Sequence, residues 1–272
     1  MNADSPGVVV SGAGSGLGAA IAHRFGAANY RVAVTDRIEA RAVRVAAELQ
    51  AEGVDAFAQA LDVTSGPDWD SVYQRALTEW GRVDVLVNNA GVAAAGRLED
   101  SSLEDWQWIL DTNLLGVVRG CHRFLPLMRE QGSGHIINIA SFAGMMPVPE
   151  LSAYATAKAG VVALSEHLRI DLDGSGIGVS VVCPAFVQTR LLETMRGGDS
   201  RHREQAERWM AKSPVTAEDV ADKVFNAVIT NRFLVLTHRE TRWAWRLRRW
   251  FPERCHRLVA AQARRLAHRA DT

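Results

Sequence analysis

The chain has 272 residues, of which 47% are hydrophobic and 23% charged, with 22 glycines and 8 prolines, a composition that excludes a disordered chain, a collagen-like repeat and a disulfide-dense scaffold. Thirty-one basic residues balance 31 acidic ones, so no overall field draws the chain to nucleic acid or to an acidic surface. The balance is uneven along the sequence. Residues 238–272 hold ten arginines against Glu240, Glu253 and Asp271, a net +7 that leaves −7 for residues 1–237.

Three cysteines without metal-like spacing read as reduced thiols, and no metal site is expected. The first residues lack a signal-peptide pattern, and no stretch reaches the roughly 18 apolar residues needed to span a bilayer. The expected location is cytoplasmic, or peripheral to the inner membrane surface.

Short β-branched runs alternate with Ala-rich helical segments, the pattern of βαβ units. Strands are expected at 7–10, 31–35, 54–60, 83–87, 135–139, 179–182 and 233–236, with helices at 17–28, 38–52, 67–80, 103–129, 151–173 and 217–230. Together they make an α/β, doubly wound Rossmann fold: a seven-stranded, mostly parallel sheet with helices on both faces, followed by a basic helical extension. Residues 1–237 form the expected catalytic domain, with a lid at about 185–214, because loops of that length in compact domains are usually lids or binding loops.

The first strand runs into Ser11-Gly12-Ala13-Gly14-Ser15-Gly16-Leu17-Gly18 as a helix begins. Glycines there let the backbone approach a pyrophosphate, whose charge meets free amides and the positive helix end. The second strand ends in Asp36-Arg37. Asp36 can accept hydrogen bonds from the adenosine ribose hydroxyls and repel a 2′-phosphate, which favours NAD(H), whereas Arg37 can accommodate that phosphate and keeps NADP(H) open. Asp62-Val63 and Asn88-Asn89-Ala90-Gly91 follow the third and fourth strands, where ligands bind in parallel sheets; the asparagines can equally hold loop backbones in register.

Ser141 follows the fifth strand, and Tyr154 and Lys158 follow on the next helix, four residues apart and so on one face. An ammonium near a phenol pulls its pKa down toward working pH, as an acid/base catalyst requires. Lys158 is one of only three lysines in the chain.

On these motifs residues 7–237 resemble the classical short-chain dehydrogenase/reductase family. The resemblance implies a glycine motif at Gly12, Gly16 and Gly18, an adenine-pocket acid at Asp62 and a catalytic tetrad of Asn113, Ser141, Tyr154 and Lys158. Tyr154 is then the general acid or base, Ser141 binds the substrate oxygen, Lys158 holds the nicotinamide ribose, and Asn113 supports a proton relay. The implied cofactor contacts are Gly12, Ser15, Gly16, Leu17, Gly18, Asp36, Arg37, Asp62, Val63, Asn89, Ala90, Gly91, Tyr154, Lys158, Pro184, Val187 and Thr189. One position departs from the pattern: Ala185 stands where the family has glycine, and alanine resists positive φ. A homodimer or homotetramer joined through helix 151–173 is a further implication.

The loops at the strand ends supply Phe142, Met145, Met146, Leu151, Phe186, Leu191, Leu192 and Met195, so an apolar cleft and a small hydrophobic alcohol or ketone are expected. The expected activity is an NAD(P)(H)-dependent interconversion of such an alcohol and its ketone. An NADPH-dependent ketoreductase or 3-oxoacyl reductase is the alternative, and a non-catalytic NAD-binding sensor or a membrane-associated scaffold represents a different class. In the tail, Trp243, Leu247 and Trp250 recur at helical spacing among arginines, which suits either a membrane surface or packing on the enzyme or a partner subunit, and not nucleic acid.

Overall fold

The computed structural model of the chain describes residues 5–198 and 200–270. Its seven strands are β1 (Gly7–Ser11), β2 (Arg31–Asp36), β3 (Ala56–Ala60), β4 (Val85–Asn88), β5 (Gly134–Ile139), β6 (Ile177–Cys183) and β7 (Leu234–Leu236). They form one sheet in the order β3-β2-β1-β4-β5-β6-β7, with every neighbouring pair parallel. Each expected strand is present, with its ends displaced by at most two residues.

Side chains alternate across the strands, so one sheet buries two cores. Val8, Val10, Val32 and Val34 face α1 (Gly16–Gly26), α2 (Glu39–Ala51) and α8 (Ala217–Ile229). On the other face Val9, Ala33, Leu86 and Ile136 meet α3 (Gly66–Trp80), α5 (Gly116–Gln131) and α6 (Ser152–Asp171), with Trp69 and Phe124 fully buried between them. Local chemistry fixes the helix ends. Ser65 caps α3 by accepting from the Asp68 amide, and Thr216 with Asp219 forms a reciprocal capping box on α8.

The strand order reverses between β1 and β4, which opens a crevice at the carboxyl ends of the strands. Two features of that end were not expected. The single helix 103–129 is α4 (Leu103–Leu110) and α5 joined by a π-helical turn at Asp111–Leu115; the apolar period runs on through the turn and so does not mark it. The expected lid contains a 3₁₀ turn at Arg190–Thr194 and a further helix, α7 (Ser200–Ala211). After β7 the tail forms α9 (Arg239–Trp250) and α10 (Pro252–Ala270).

Candidate active site

The glycine loop opens the cleft. Gly12 adopts φ +64°, and a side chain on it would press against the backbone of Ala90, while one on Gly18 would collide with the Gly12 carbonyl. Only a loop bare of side chains lets the two segments close up beneath the start of α1. Asn89 locks this arrangement: its side-chain amide donates to the carbonyls of Ser11 (2.9 Å) and Gly12 (3.1 Å). The Ser11 hydroxyl oxygen accepts from the amides of Asn89 (3.0 Å) and Ala90 (3.1 Å). Of the two uses weighed for Asn89, its side chain serves the loop, although the residue also lines the cleft.

At the adenosine end, the two carboxylate oxygens of Asp36 accept from the amides of Gly14 (3.1 Å) and Ile38 (2.9 Å). Arg37 and Arg41 line the same end. The Arg41 guanidinium reaches across to Glu193 of the lid turn at 3.0 Å. Asp62 uses one carboxylate oxygen to accept from the Thr64 amide (2.9 Å) and hydroxyl (2.7 Å).

At the other end Ser141, Tyr154 and Lys158 line the cleft with Gly91, and Asn113 lies behind Gly91. A Cβ there would stand 3.1 Å from Asn113 Oδ1 and 3.5 Å from Lys158 Nζ. Asn113 sits in the π turn, fully buried, and trades two 2.8 Å hydrogen bonds with the backbone of Val92. Lys158 is buried on α6 and donates to the Ile139 carbonyl at 2.8 Å. Ser141 accepts from the Ala143 amide (3.1 Å), which leaves its hydroxyl proton to donate to the Tyr154 phenol oxygen.

The electrostatics differ from the expected balance. Burial pushes the Tyr154 phenol up from its ordinary value, and the Ser141 hydrogen bond only partly opposes this. Burial also lowers Lys158 to about 8, with the neighbouring Cys183 pulling it back up. The expected lowering of the phenol by Lys158 is not found: burial, the Ser141 hydroxyl and Cys183 act on Tyr154, and desolvation penalises the charged form of both groups. Cys183, raised by burial to about 12, is a thiol at neutral pH.

Every expected cofactor contact from Gly12 to Thr189 lines this one cleft. Of the eight residues expected to meet substrate, Leu191 lines it; Met146 is buried, Met145 packs on the core beneath the sheet, and Phe186 stacks on Trp209 with ring centroids 4.9 Å apart. Leu151 pairs with Gly96, while Phe142, Leu192 and Met195 are half-buried in their turns. Ala185 keeps an ordinary φ, since Asn29, Glu150 and Asn231 are the positive-φ residues other than glycine among those described. Arg41, Thr112, Glu193 and Met210 also line the cleft. The sequence held no signal for them, because each depends on contacts between distant segments.

The glycine cradle fits a dinucleotide: a Cβ on Gly16 would come within 3.3 Å of Thr189 and fill the gap between the loop and the lid.

Comparison with known proteins agrees with this geometry. Residues 7–200 match the family model for short chain dehydrogenase. Over 230 residues the chain is 36% identical to the probable oxidoreductase EphD of Mycobacterium tuberculosis, a match that covers 81% of this chain; the chain spans only 39% of EphD. It is 36% identical over 246 residues to sulfoacetaldehyde reductase 2 of Chromohalobacter salexigens, covering 88% of this chain and 95% of that one. A short chain dehydrogenase/reductase from Burkholderia phymatum, crystallised in complex with NAD, superposes with a TM-score of 0.87 at 33% identity, covering 93% of this chain and 96% of that one. The chain therefore belongs to the short-chain dehydrogenase/reductase family of oxidoreductases.

Proposed function

We propose that the protein interconverts an apolar secondary alcohol and its ketone with a nicotinamide cofactor, NAD(H) by preference, using Tyr154 as general acid and base. The observation that carries this reading is the half-buried Tyr154, its phenol hydrogen-bonded to Ser141 and one helical turn from Lys158, in the same cleft as the glycine loop. The NAD complex of the Burkholderia neighbour supports the cofactor, and so does the Asp36 carboxylate at the adenosine end.

A bound nicotinamide supplies the hydride acceptor or donor. Loop amides and the start of α1 would hold the pyrophosphate, Asp36 the adenosine ribose and Lys158 the nicotinamide ribose. Asp62, Ala90, Val187 and Thr189 would line its remaining length. In reduction the Tyr154 hydroxyl gives its proton to the substrate oxygen while Ser141 donates a hydrogen bond to that oxygen; in oxidation Tyr154 takes the proton back. A raised phenol pKa keeps the proton on Tyr154 at neutral pH, the form that reduction uses. Asn113 acts as a positioning residue, bracing the Val92 loop beside Lys158. Leu191 and Met210, apolar lid residues that line the cleft, favour an uncharged, hydrophobic substrate.

NADPH-dependent ketoreduction is the second reading, because Arg37 and Arg41 also line the adenosine end. Calorimetric titration with NAD(H) and NADP(H), followed by turnover with a set of apolar secondary alcohols and ketones, tests the proposal. Tight NADH binding that is lost in Asp36→Ala, with turnover of a member of the set, is the expected result. Tight binding of NADPH alone transfers the argument to the second reading, and binding of neither cofactor defeats both.

A further inference from the structure

Helix α9 carries two apolar faces that point in opposite directions. Thr241 is 3% exposed, and Trp245 packs against the core cluster that holds Leu236, which fixes the inner face. Trp243 and Trp250 are 72% and 76% exposed, and Leu247 lies between them. At about 3.6 residues per turn these three share a face, roughly half a turn around the helix from Thr241 and Trp245. Phe251, at the end of α9, and Leu258, on α10, are exposed as well.

Packing on the body of the enzyme, one of the two readings left open for the tail, thus accounts for one face and not for the other. Large apolar side chains grouped on one exposed helix face, rimmed by polar residues, mark an interaction site. Arg242, Arg246 and Arg249 flank it, all exposed, and the Arg246 guanidinium lies over the Trp243 ring at 5.5 Å.

We propose that the outer face of α9, with the first turn of α10, lies flat on an anionic lipid surface. Tryptophan rings settle at the headgroup boundary of a bilayer, and guanidinium groups pair with lipid phosphates. Charge also selects this occupant. Residues 238–272 carry +7 and the remainder −7, so an anionic surface attracts the tail, repels the body and sets the orientation of the enzyme. A second copy placed face to face would set like charge against like. No helix among the described residues is long and apolar enough to cross a membrane, so the contact this helix offers is peripheral.

The start of helix α9 adjoins the lid. At the start of α9, His238 is buried, and its ring nitrogens lie 3.3 Å from the Ser213 hydroxyl and 2.8 Å from the Thr237 hydroxyl; it also shares a hydrogen bond with the Phe186 backbone. Phe186 and Ser213 stand near the two ends of the lid. Docking through α9 holds the helix that anchors both ends of the lid at the surface where an apolar substrate concentrates; that last clause rests on the function proposed above, and the docking itself does not.

The test is sedimentation of the full chain with vesicles of equal parts phosphatidylglycerol and phosphatidylcholine, against vesicles of phosphatidylcholine alone. Wild type is expected to partition onto the anionic vesicles at least about tenfold more strongly, with the difference collapsing in high salt. Trp243→Ala/Trp250→Ala, which changes only exposed rings, is expected to lose most of that binding while keeping its affinity for NADH. Three results overturn the proposal: wild type that stays in solution with anionic vesicles, binding that the double variant leaves intact, or a wild-type dimer without vesicle affinity that the double variant converts to monomer. The last assigns the face to a second copy.

Discussion

Asn113 and Val92 exchange two hydrogen bonds, with the side-chain amide donating to the Val92 carbonyl and the side-chain oxygen accepting from the Val92 amide, each at 2.8 Å. The π turn makes this exchange, because the extra residue it inserts into the helix gives Asn113 its own place at the cleft. The loop that follows β4 is thereby fixed to the α4–α5 helix beside Lys158. Asn113→Ala leaves both Val92 groups without partners, so we expect a stability loss of about 1–3 kcal/mol in urea unfolding. Turnover should fall more than thermal stability at the assay temperature explains, and a variant with full activity would refute the bracing role.

Beneath the cleft, Asn88 donates to Asn138 at 2.9 Å, Asn138 donates to Ser165 at 3.0 Å, and Ser165 donates to the Val161 carbonyl at 2.7 Å. All are buried. This chain ties β4 and β5 to α6, the helix of Tyr154 and Lys158. Ser165→Ala strands an Asn138 donor and is expected to cost about 1–3 kcal/mol. Denaturant midpoints of wild type and variant, measured with the same slope, check it.

A buried histidine makes the fold sensitive to acid. Burial lowers His135 from about 6.5 to about 4. Its Nε2 lies 2.8 Å from the Ser180 hydroxyl, which itself donates to the Arg232 carbonyl, so the ring is the neutral, Nε2-protonated form. Between those pH values the unfolded chain binds a proton that the folded chain refuses, so stability falls as pH drops from about 6.5 to about 4 and then levels. The loss is on the order of 3 kcal/mol. Unfolding free energy measured across that range should show this slope in wild type and lose most of it in His135→Asn; an unchanged slope would reject the assignment.

Cofactor choice carries its own prediction. Glu193 on the lid turn engages Arg41 at 3.0 Å and lies 3.5 Å from Arg190, which adds a carboxylate to the Asp36 end of the cleft and occupies a cation that a 2′-phosphate needs. Glu193→Gln frees Arg41. Affinity for NADP(H) relative to NAD(H) should rise about tenfold, equivalent to roughly 1.4 kcal/mol. Paired calorimetric titrations decide it, and an unmoved ratio would remove Glu193 from the selectivity argument.

The sheet, its two helical layers and the glycine loop were legible because they depend on local signals: β-branched runs, apolar periods, and glycines that follow a strand and open a helix. Tyr154 and Lys158 were legible as a pair because helical spacing alone puts them on one face. The π turn was hidden, since inserting one residue into a helix leaves the apolar pattern nearly intact. Arg41 and Glu193 are 152 residues apart and meet only through the lid. The upward direction of the Tyr154 shift was not legible for a related reason: spacing reveals which residues share a face, whereas burial, the largest cause here, is a property of the folded whole.

The most direct test of Tyr154 as general acid and base is Tyr154→Phe, measured for NADH binding by calorimetry and for reduction of an apolar ketone that wild type turns over. The phenyl ring keeps the shape and removes the proton. We predict NADH affinity close to wild type and a turnover lower by roughly two to four orders of magnitude. Turnover by the variant within about tenfold of wild type would contradict the proposed mechanism.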